Sequence, residues 1–264
     1  MKKIISSIIF FIMAGTFSVV YAAPAPIITS TQDRSGNQDH SFGIGLTTSV
    51  AQRPFVGVDD QNASLLYLSY RYKDFYVEGL DIGLNLINNE NYSLDILGTP
   101  RFYEVEPAFA DNGELNNIDI TKPSYFAGFS SQIKSKYATY TFQILQDLIE
   151  SDGNELVAQV SKNYELNSEW SLTPSFGLVY QSNKLVDYYY GVQSNEVVVG
   201  RPLYEGKSAL NYNLTLNALW KVTENVELLG QVKYEVLGDG ITDSPIVDED
   251  STYFFTVGAV YRFK

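Results

Sequence analysis

The single histidine, His40, is the one side chain in this sequence whose ordinary pKa suits proton transfer near neutral pH. A histidine base normally works beside an acid or a serine nucleophile. His40 would have to carry that role alone, and its place at the start of the first strand suits an interface, so the sequence predicts an ordinary interfacial histidine and not a catalytic one. The chain contains no cysteine, which excludes thiolate catalysis, disulfides, cysteine metal sites and a lipid-modified N-terminal cysteine. Oxygen ligands for a cation such as Ca²⁺ could come from Asp239, Asp243, Asp248, Glu249 and Asp250, or from Asp152-Gly153-Asn154-Glu155. Neither set has the spacing of a calcium loop, and both read as solvated connections. The run Tyr188-Tyr189-Tyr190 could form a recognition surface, because tyrosine brings both contact area and a hydrogen bond. The preferred reading is plainer: packing inside a folded loop or anchoring at an interface. No Gly-rich phosphate loop, zinc spacing or nucleophile elbow appears. The expectation is a protein that is not an enzyme and uses no cofactor or metal.

Charge and the first residues say where such a chain works. It carries 18 basic and 31 acidic residues, a formal charge of -13 that falls to -15 once Lys2 and Lys3 are removed with a cleaved leader. A chain this acidic is repelled by nucleic acid. Lys2 and Lys3, the apolar stretch Ile4 to Val20, and the small residues Ala22 and Ala23 have the layout of a secretory signal peptide. Residues 1–22 are therefore expected to be removed, with cleavage after Ala22, and residues 23–39, rich in Pro, Ser, Thr, Asn and Asp, are expected to form a flexible leader.

From residue 40 onward one pattern repeats: about ten residues alternating apolar and polar, then turn residues. In the segment 210–220, Leu210, Tyr212, Leu214, Leu216, Ala218 and Trp220 alternate with Asn211, Asn213, Thr215, Asn217 and Leu219. A helix, with a period of 3.6, would scatter these residues around its circumference. In 170–180, Trp170, Leu172, Phe176, Leu178 and Tyr180 share a face, and Pro174 predicts a bulge or irregular pairing. Looser segments are 42–50, 64–72, 75–86, 92–103, 124–132, 136–147, 154–164, 226–237 and 251–263. The polar faces carry Asn, Ser, Thr, Gly and Gln more than charge, whereas a soluble sandwich or lipocalin-like barrel would expose charge on its outer face. Charges collect instead in connections such as Asp59-Asp60 and Asp248 to Asp250.

The expected fold over residues 40–264 is therefore all-β, a transmembrane antiparallel up-and-down β-barrel. The segments number eleven, and single-chain bacterial barrels normally have an even number, so twelve strands are expected, with ten the alternative and the uncertainty lying in residues 51–125. With the last strand ending on the periplasmic side, 165–168 and 221–225 become short periplasmic turns, and 182–207 and 238–250 become long outer loops. That places Trp170 and Trp220 together at one bilayer edge, as an aromatic girdle requires, with Tyr261 and Phe263 at the same edge. His40 would lie near that periplasmic edge too.

Asp187-Tyr188-Tyr189-Tyr190-Gly191-Val192, followed by Gly200-Arg201-Pro202-Leu203-Tyr204, resembles the signature loop of the MipA/OmpV family of outer-membrane proteins. Asp243-Ser244-Pro245-Ile246-Val247 before the final strand is similar to another of its elements. So is Pro54-Phe55-Val56-Gly57, with Phe55 where that family usually has Tyr. The final strand, closing on Tyr261-Arg262-Phe263, looks like the signal read by the outer-membrane insertion machinery, although Lys264 follows the aromatic residue. The resemblance implies residence in the cell outer membrane, in contact with its lipid and lipopolysaccharide. It implies a scaffolding role between a murein synthase and a murein-degrading lytic transglycosylase, and it makes Tyr188, Tyr189, Tyr190, Gly191, Arg201 and Tyr204 a candidate interaction loop. The alternative function is a narrow pore for small solutes, suited by the inward row Asn211, Asn213, Thr215 and Asn217.

Overall fold

Period-two alternation gives each strand one greasy and one polar face, and closing such strands into a ring turns one face wholly inward. The computed structural model describes residues 40–111 and 113–263. The expected signal peptide, the leader and Lys264 lie outside the described residues.

Twelve antiparallel strands form the ring. They are β1 (His40–Ala51), β2 (Gln61–Tyr72), β3 (Phe75–Glu78), β4 (Asp81–Asn88), β5 (Tyr92–Arg101), β6 (Ser124–Lys134) and β7 (Thr139–Asp147), followed by β8 (Asn154–Ser161, continued by Tyr164–Glu165), β9 (Trp170–Gln181), β10 (Ala209–Lys221), β11 (Val226–Val236) and β12 (Ser251–Phe263). Each strand pairs with its neighbours in sequence, and β12 pairs with β1 from Phe42↔Phe263 to Ala51↔Phe254, which closes the wall.

The greasy face points outward. Leu214 is 61% exposed and its neighbour Asn213 only 7%. Phe129, Ile144, Phe176, Leu216 and Phe255 are likewise exposed, while Ser130, Ser175, Asn211, Gln231 and Thr256 are buried. A soluble barrel would have the opposite arrangement. Outside water this wall satisfies its backbone within the ladder and meets lipid with its apolar side chains.

Two local details explain the strand count. The segment 75–86, expected as one strand, is two: β3 and β4 form a hairpin whose turn uses Gly79 at φ +62. The apolar positions switch there from odd (Phe75, Val77) to even (Ile82, Leu84, Leu86), which is what a tight reversal does to alternation. This hairpin supplies the strand missing from the sequence count. The irregularity expected at Pro174 is an interruption and not a bulge. β8 stops at Ser161 and resumes at Tyr164 in the same register against β9, since Pro174 has no N–H to offer the chain opposite.

Short connections, Lys73-Asp74, 89–91, 135–138, 166–169 and 222–225, lie at one end of the barrel. At the other end, 52–60, 102–123, 148–153, 182–208 and 237–250 are longer and contain a 3₁₀ turn (Pro107–Phe109), α1 (Asn183–Tyr190) and α2 (Asp239–Thr242). At the short-turn end Trp170 pairs with Trp220 and their rings stack 5.0 Å apart. Phe42 stacks on Phe263 at 5.1 Å, and Phe263 meets Tyr261 at 4.9 Å. His40 opens β1 at this end with its ring 4.8 Å from Tyr72.

Candidate functional site: the lumen and its cap

Inward-facing polar side chains line a cavity of about 1120 Å³. One wall is neutral, built from hydroxyls and amides such as Thr141, Gln159, Ser175, Asn213, Thr215 and Asn217. Gln231 Nε2 donates to Asn217 Oδ1 at 2.7 Å within it. Charged side chains in the lumen are held in pairs, one of which, Lys233 with Glu235, lies directly across from Thr215 and Asn213. Arg262 Nε sits 2.6 Å from Glu227 Oε2 and its Nη1 donates to Ser69 Oγ at 2.8 Å. Tyr67 Oη donates to Glu78, and Lys233 Nζ lies 2.5 Å from Glu235. Highest in the lumen, Arg101 binds Glu155 through Nη2 at 2.6 Å and Nε at 3.0 Å, and Tyr103 Oη donates to the same carboxylate at 2.7 Å. Charges enclosed this way keep partners because an isolated one would be very costly to bury.

The cavity reaches the short-turn end, where Asn167, Ser168, Glu169 and Lys221 line it. At the long-loop end its lining includes Phe55, Tyr103 and Tyr190, which belong to an apolar core seated across that mouth. This core joins upper inward residues of the wall, Leu97, Phe126, Leu145 and Ala209, to loop residues Val105, Leu115, Leu185, Val186, Ile241 and Ile246. Four connections contribute, so the loops fold into one cap and not into separate fingers. Chain-to-chain ties hold it: Phe55 bridges Val247, Val58 bridges Ala110, and Val192 bridges Tyr204.

The residues of the candidate interaction loop are brought together in this cap. Tyr189 and Tyr190 are buried; Tyr189 Oη donates to the Lys122 carbonyl at 3.1 Å, and the Tyr190 ring lies 5.5 Å from that of Phe55. Burial pushes both phenols above their ordinary range. Tyr188 is half-buried, donates to Glu150 at 2.5 Å, and is pushed up to about 12 by burial and then by that carboxylate. Gly191 ends α1, where its N–H donates to the Asp187 carbonyl at 2.9 Å. Arg201 is buried and donates to the carbonyls of Glu114 (2.9 Å), Asn116 (2.7 Å) and Glu196 (2.8 Å), joining 182–208 to 102–123. Tyr204 Oη donates to the Gly240 carbonyl at 2.9 Å, joining 182–208 to 237–250.

Sequence reasoning missed Arg53, Arg101, Glu104 and Glu155. In sequence Glu155 reads as part of an acidic connection, but β8 turns it into the lumen against Arg101. Its signal was available: an acid at an inward position of one strand and an arginine at an inward position of another. Among the described residues no group of three or more His, Asp or Glu is placed to hold a metal ion.

Residues 44–263 match the family model described as MltA-interacting protein MipA. The chain is 24% identical to the MltA-interacting protein of Escherichia coli (strain K12), over 90% of this chain and 96% of that one. It is 25% identical to outer membrane protein OmpV of Vibrio cholerae, over 92% and 86%. A putative outer membrane protein, YiaT of Escherichia coli O157:H7, is 26% identical over 84% and 91%. Among solved structures, an outer membrane channel of Pseudomonas putida F1 aligns over 84% of this chain and 96% of that one, with 8% identity and a TM-score of 0.40.

Proposed function

This chain belongs to the MltA-interacting protein MipA family of outer-membrane barrels, and from that premise we propose that it is a structural docking barrel of the cell envelope that serves partners on the periplasmic side. One observation carries the reading: the apolar cap across the long-loop mouth faces a polar cavity that extends to the short-turn end. Long loops belong outside and short turns in the periplasm. The room and the hydrogen-bonding groups are thus offered to the periplasm, while the outer face is plugged by packed side chains. Murein-processing enzymes are the proposed partners, because a relative is named as interacting with MltA and the family resemblance implies scaffolding of a lytic transglycosylase and a murein synthase. The charges of Arg101, Glu155, Glu227 and Arg262 are committed to internal pairs, and among the described residues the lumen holds no nucleophile set beside a base, so the proposed role is binding and not catalysis.

The rival reading is a narrow pore, which the neutral Asn213, Thr215 and Asn217 face favours. Two experiments separate them. The purified barrel in mild detergent should retain a lytic transglycosylase or murein synthase from an envelope extract, and planar bilayers should show no steady single-channel current. Retention of neither enzyme removes the docking reading. A steady current from the intact protein establishes the pore in its place.

A further inference from the structure

The wall is incomplete on its outer side between β2 and β5. The β3–β4 hairpin that separates them is short: β3 has 4 residues, whereas β2 has 12. It covers β2 only as far as Leu68, whose carbonyl accepts from Gly79 N–H at 2.8 Å, and it covers β5 only as far as Gly98, opposite Ile82. Above those points Gln61–Tyr67 of β2 and Thr99–Arg101 of β5 have no strand between them.

Antiparallel pairing aims alternate residues' N–H and C=O groups toward each neighbour. Leu68 and Tyr70 point theirs toward β3, so the same parity above them, Asn62, Ser64 and Leu66, points into the opening. None of these three makes a backbone hydrogen bond across that edge among the described residues. Leu66 is 62% exposed and sits opposite Leu46 of β1, on the lipid side of the wall. The β5 edge is managed differently. Its even positions face β4, as Gly98 does Ile82, so the residue facing the opening is Pro100, which has no N–H, and its carbonyl accepts from Arg101 Nη1 at 3.2 Å. Tyr125 of β6 lies over Gly98 and donates to the Leu80 carbonyl at 3.2 Å, fixing the hairpin's upper rim. Above, Gly57 O accepts from Asp111 N–H at 2.9 Å, which roofs the gap. The result is a framed notch with one satisfied edge and one edge that presents the N–H and C=O groups of three residues.

A bare sheet edge in hydrocarbon is costly, because each unpaired backbone group forfeits its hydrogen bond. The notch lies at the outer end of β2, where the bilayer passes from acyl chains to the carbonyl linkages of its lipids. The bare β2 edge of a second copy standing the same way up would run parallel to this one and not antiparallel to it. We propose that the notch is a binding site for one acylated lipid of the outer leaflet, whose ester or amide carbonyls accept from the N–H groups of Asn62, Ser64 and Leu66 while its chains lie along Leu66 and Pro100. The lipid completes the wall where a strand is missing.

The test uses the whole barrel in nanodiscs of phospholipids that share head group and chain length and differ only in ester or ether linkage. Amide exchange at Asn62, Ser64 and Leu66 should be slower by about tenfold in the ester lipid, the worth of one hydrogen bond. The amides of Thr47 and Ser49, inside the β1 ladders, should not differ. Ser64→Pro removes a donor aimed at the notch and leaves the β1 ladder intact. It should keep heat-modifiable gel mobility and lose the lipid that wild-type barrel, drawn from ester nanodiscs, retains in native mass spectrometry. Equal exchange in ester and ether lipid overturns the proposal, even if Ser64→Pro does not fold. Equal lipid retention by wild type and a folded Ser64→Pro barrel overturns it as well.

Discussion

Replacing Arg101 by methionine should be among the most damaging single changes that leave the lipid-facing surface untouched. The guanidinium meets both oxygens of Glu155, the Thr99 hydroxyl at 2.9 Å and the Pro100 carbonyl, and both partners of the ion pair are buried. With the guanidinium gone, Glu155 keeps the Tyr103 hydroxyl but stays charged in a site that water does not reach freely. Breaking a buried pair from one side costs about 3–5 kcal/mol, whereas replacing both partners by apolar residues of similar size is close to neutral. Arg101→Met and Glu155→Leu should therefore each cost about 3–5 kcal/mol, and the double variant within about 1 kcal/mol of wild type. Reversible urea unfolding in phospholipid vesicles, followed by the fluorescence of Trp170 and Trp220, measures all four corners of this cycle. If the double variant is as unstable as the two single costs added together, the pair is not the coupled unit described here. If Arg101→Met costs under about 1 kcal/mol, the site is wetter than its burial implies.

Three further outcomes follow from the same geometry. Gly45→Val should prevent barrel closure, since a Cβ there overlaps the Ala259 carbonyl where β1 meets β12; loss of the heat-modifiable gel shift reports it, and a normal shift contradicts it. Tyr189→Ala empties the centre of the cap at about 3–5 kcal/mol and should turn an electrically silent barrel into one with resolvable openings in planar bilayers; continued silence means that the cap seals by other contacts. Burial raises the Glu104 carboxyl above its ordinary range, with Arg53 opposing, and Glu104 Oε2 has no hydrogen-bond partner. A carboxyl whose folded pKa is raised contributes stability below its unfolded pKa and loses it as pH rises through the folded value. The cap should therefore weaken between acid and neutral pH, and Glu104→Gln should flatten that slope, read as the pH dependence of amide exchange across residues 102–123; a slope as steep as that of the wild type refutes this.

Which face of each strand meets lipid was legible in the sequence because hydrophobicity at alternate positions is set by environment alone. Leu210 to Trp220 needed no knowledge of partners to be read as outward, and the twin tryptophans followed from turn lengths. The β3–β4 reversal was hidden because both arms are apolar and the switch of parity between Val77 and Ile82 falls within a few residues. The cap was hidden for a different reason. Its residues come from connections far apart in the chain, so that Arg201 answers carbonyls at Glu114 and Asn116, and Phe55 packs on Tyr190. No local period encodes such contacts. The tyrosine run drew notice by composition, but whether it faces a partner or the interior depends on what the other loops bring to it. In this barrel they bring Phe55, Lys122 and Ser244, which enclose it. On the proposed docking reading, the surface left for recognition is the short-turn mouth, whose turns look ordinary in sequence and become distinctive only because a polar cavity opens between them.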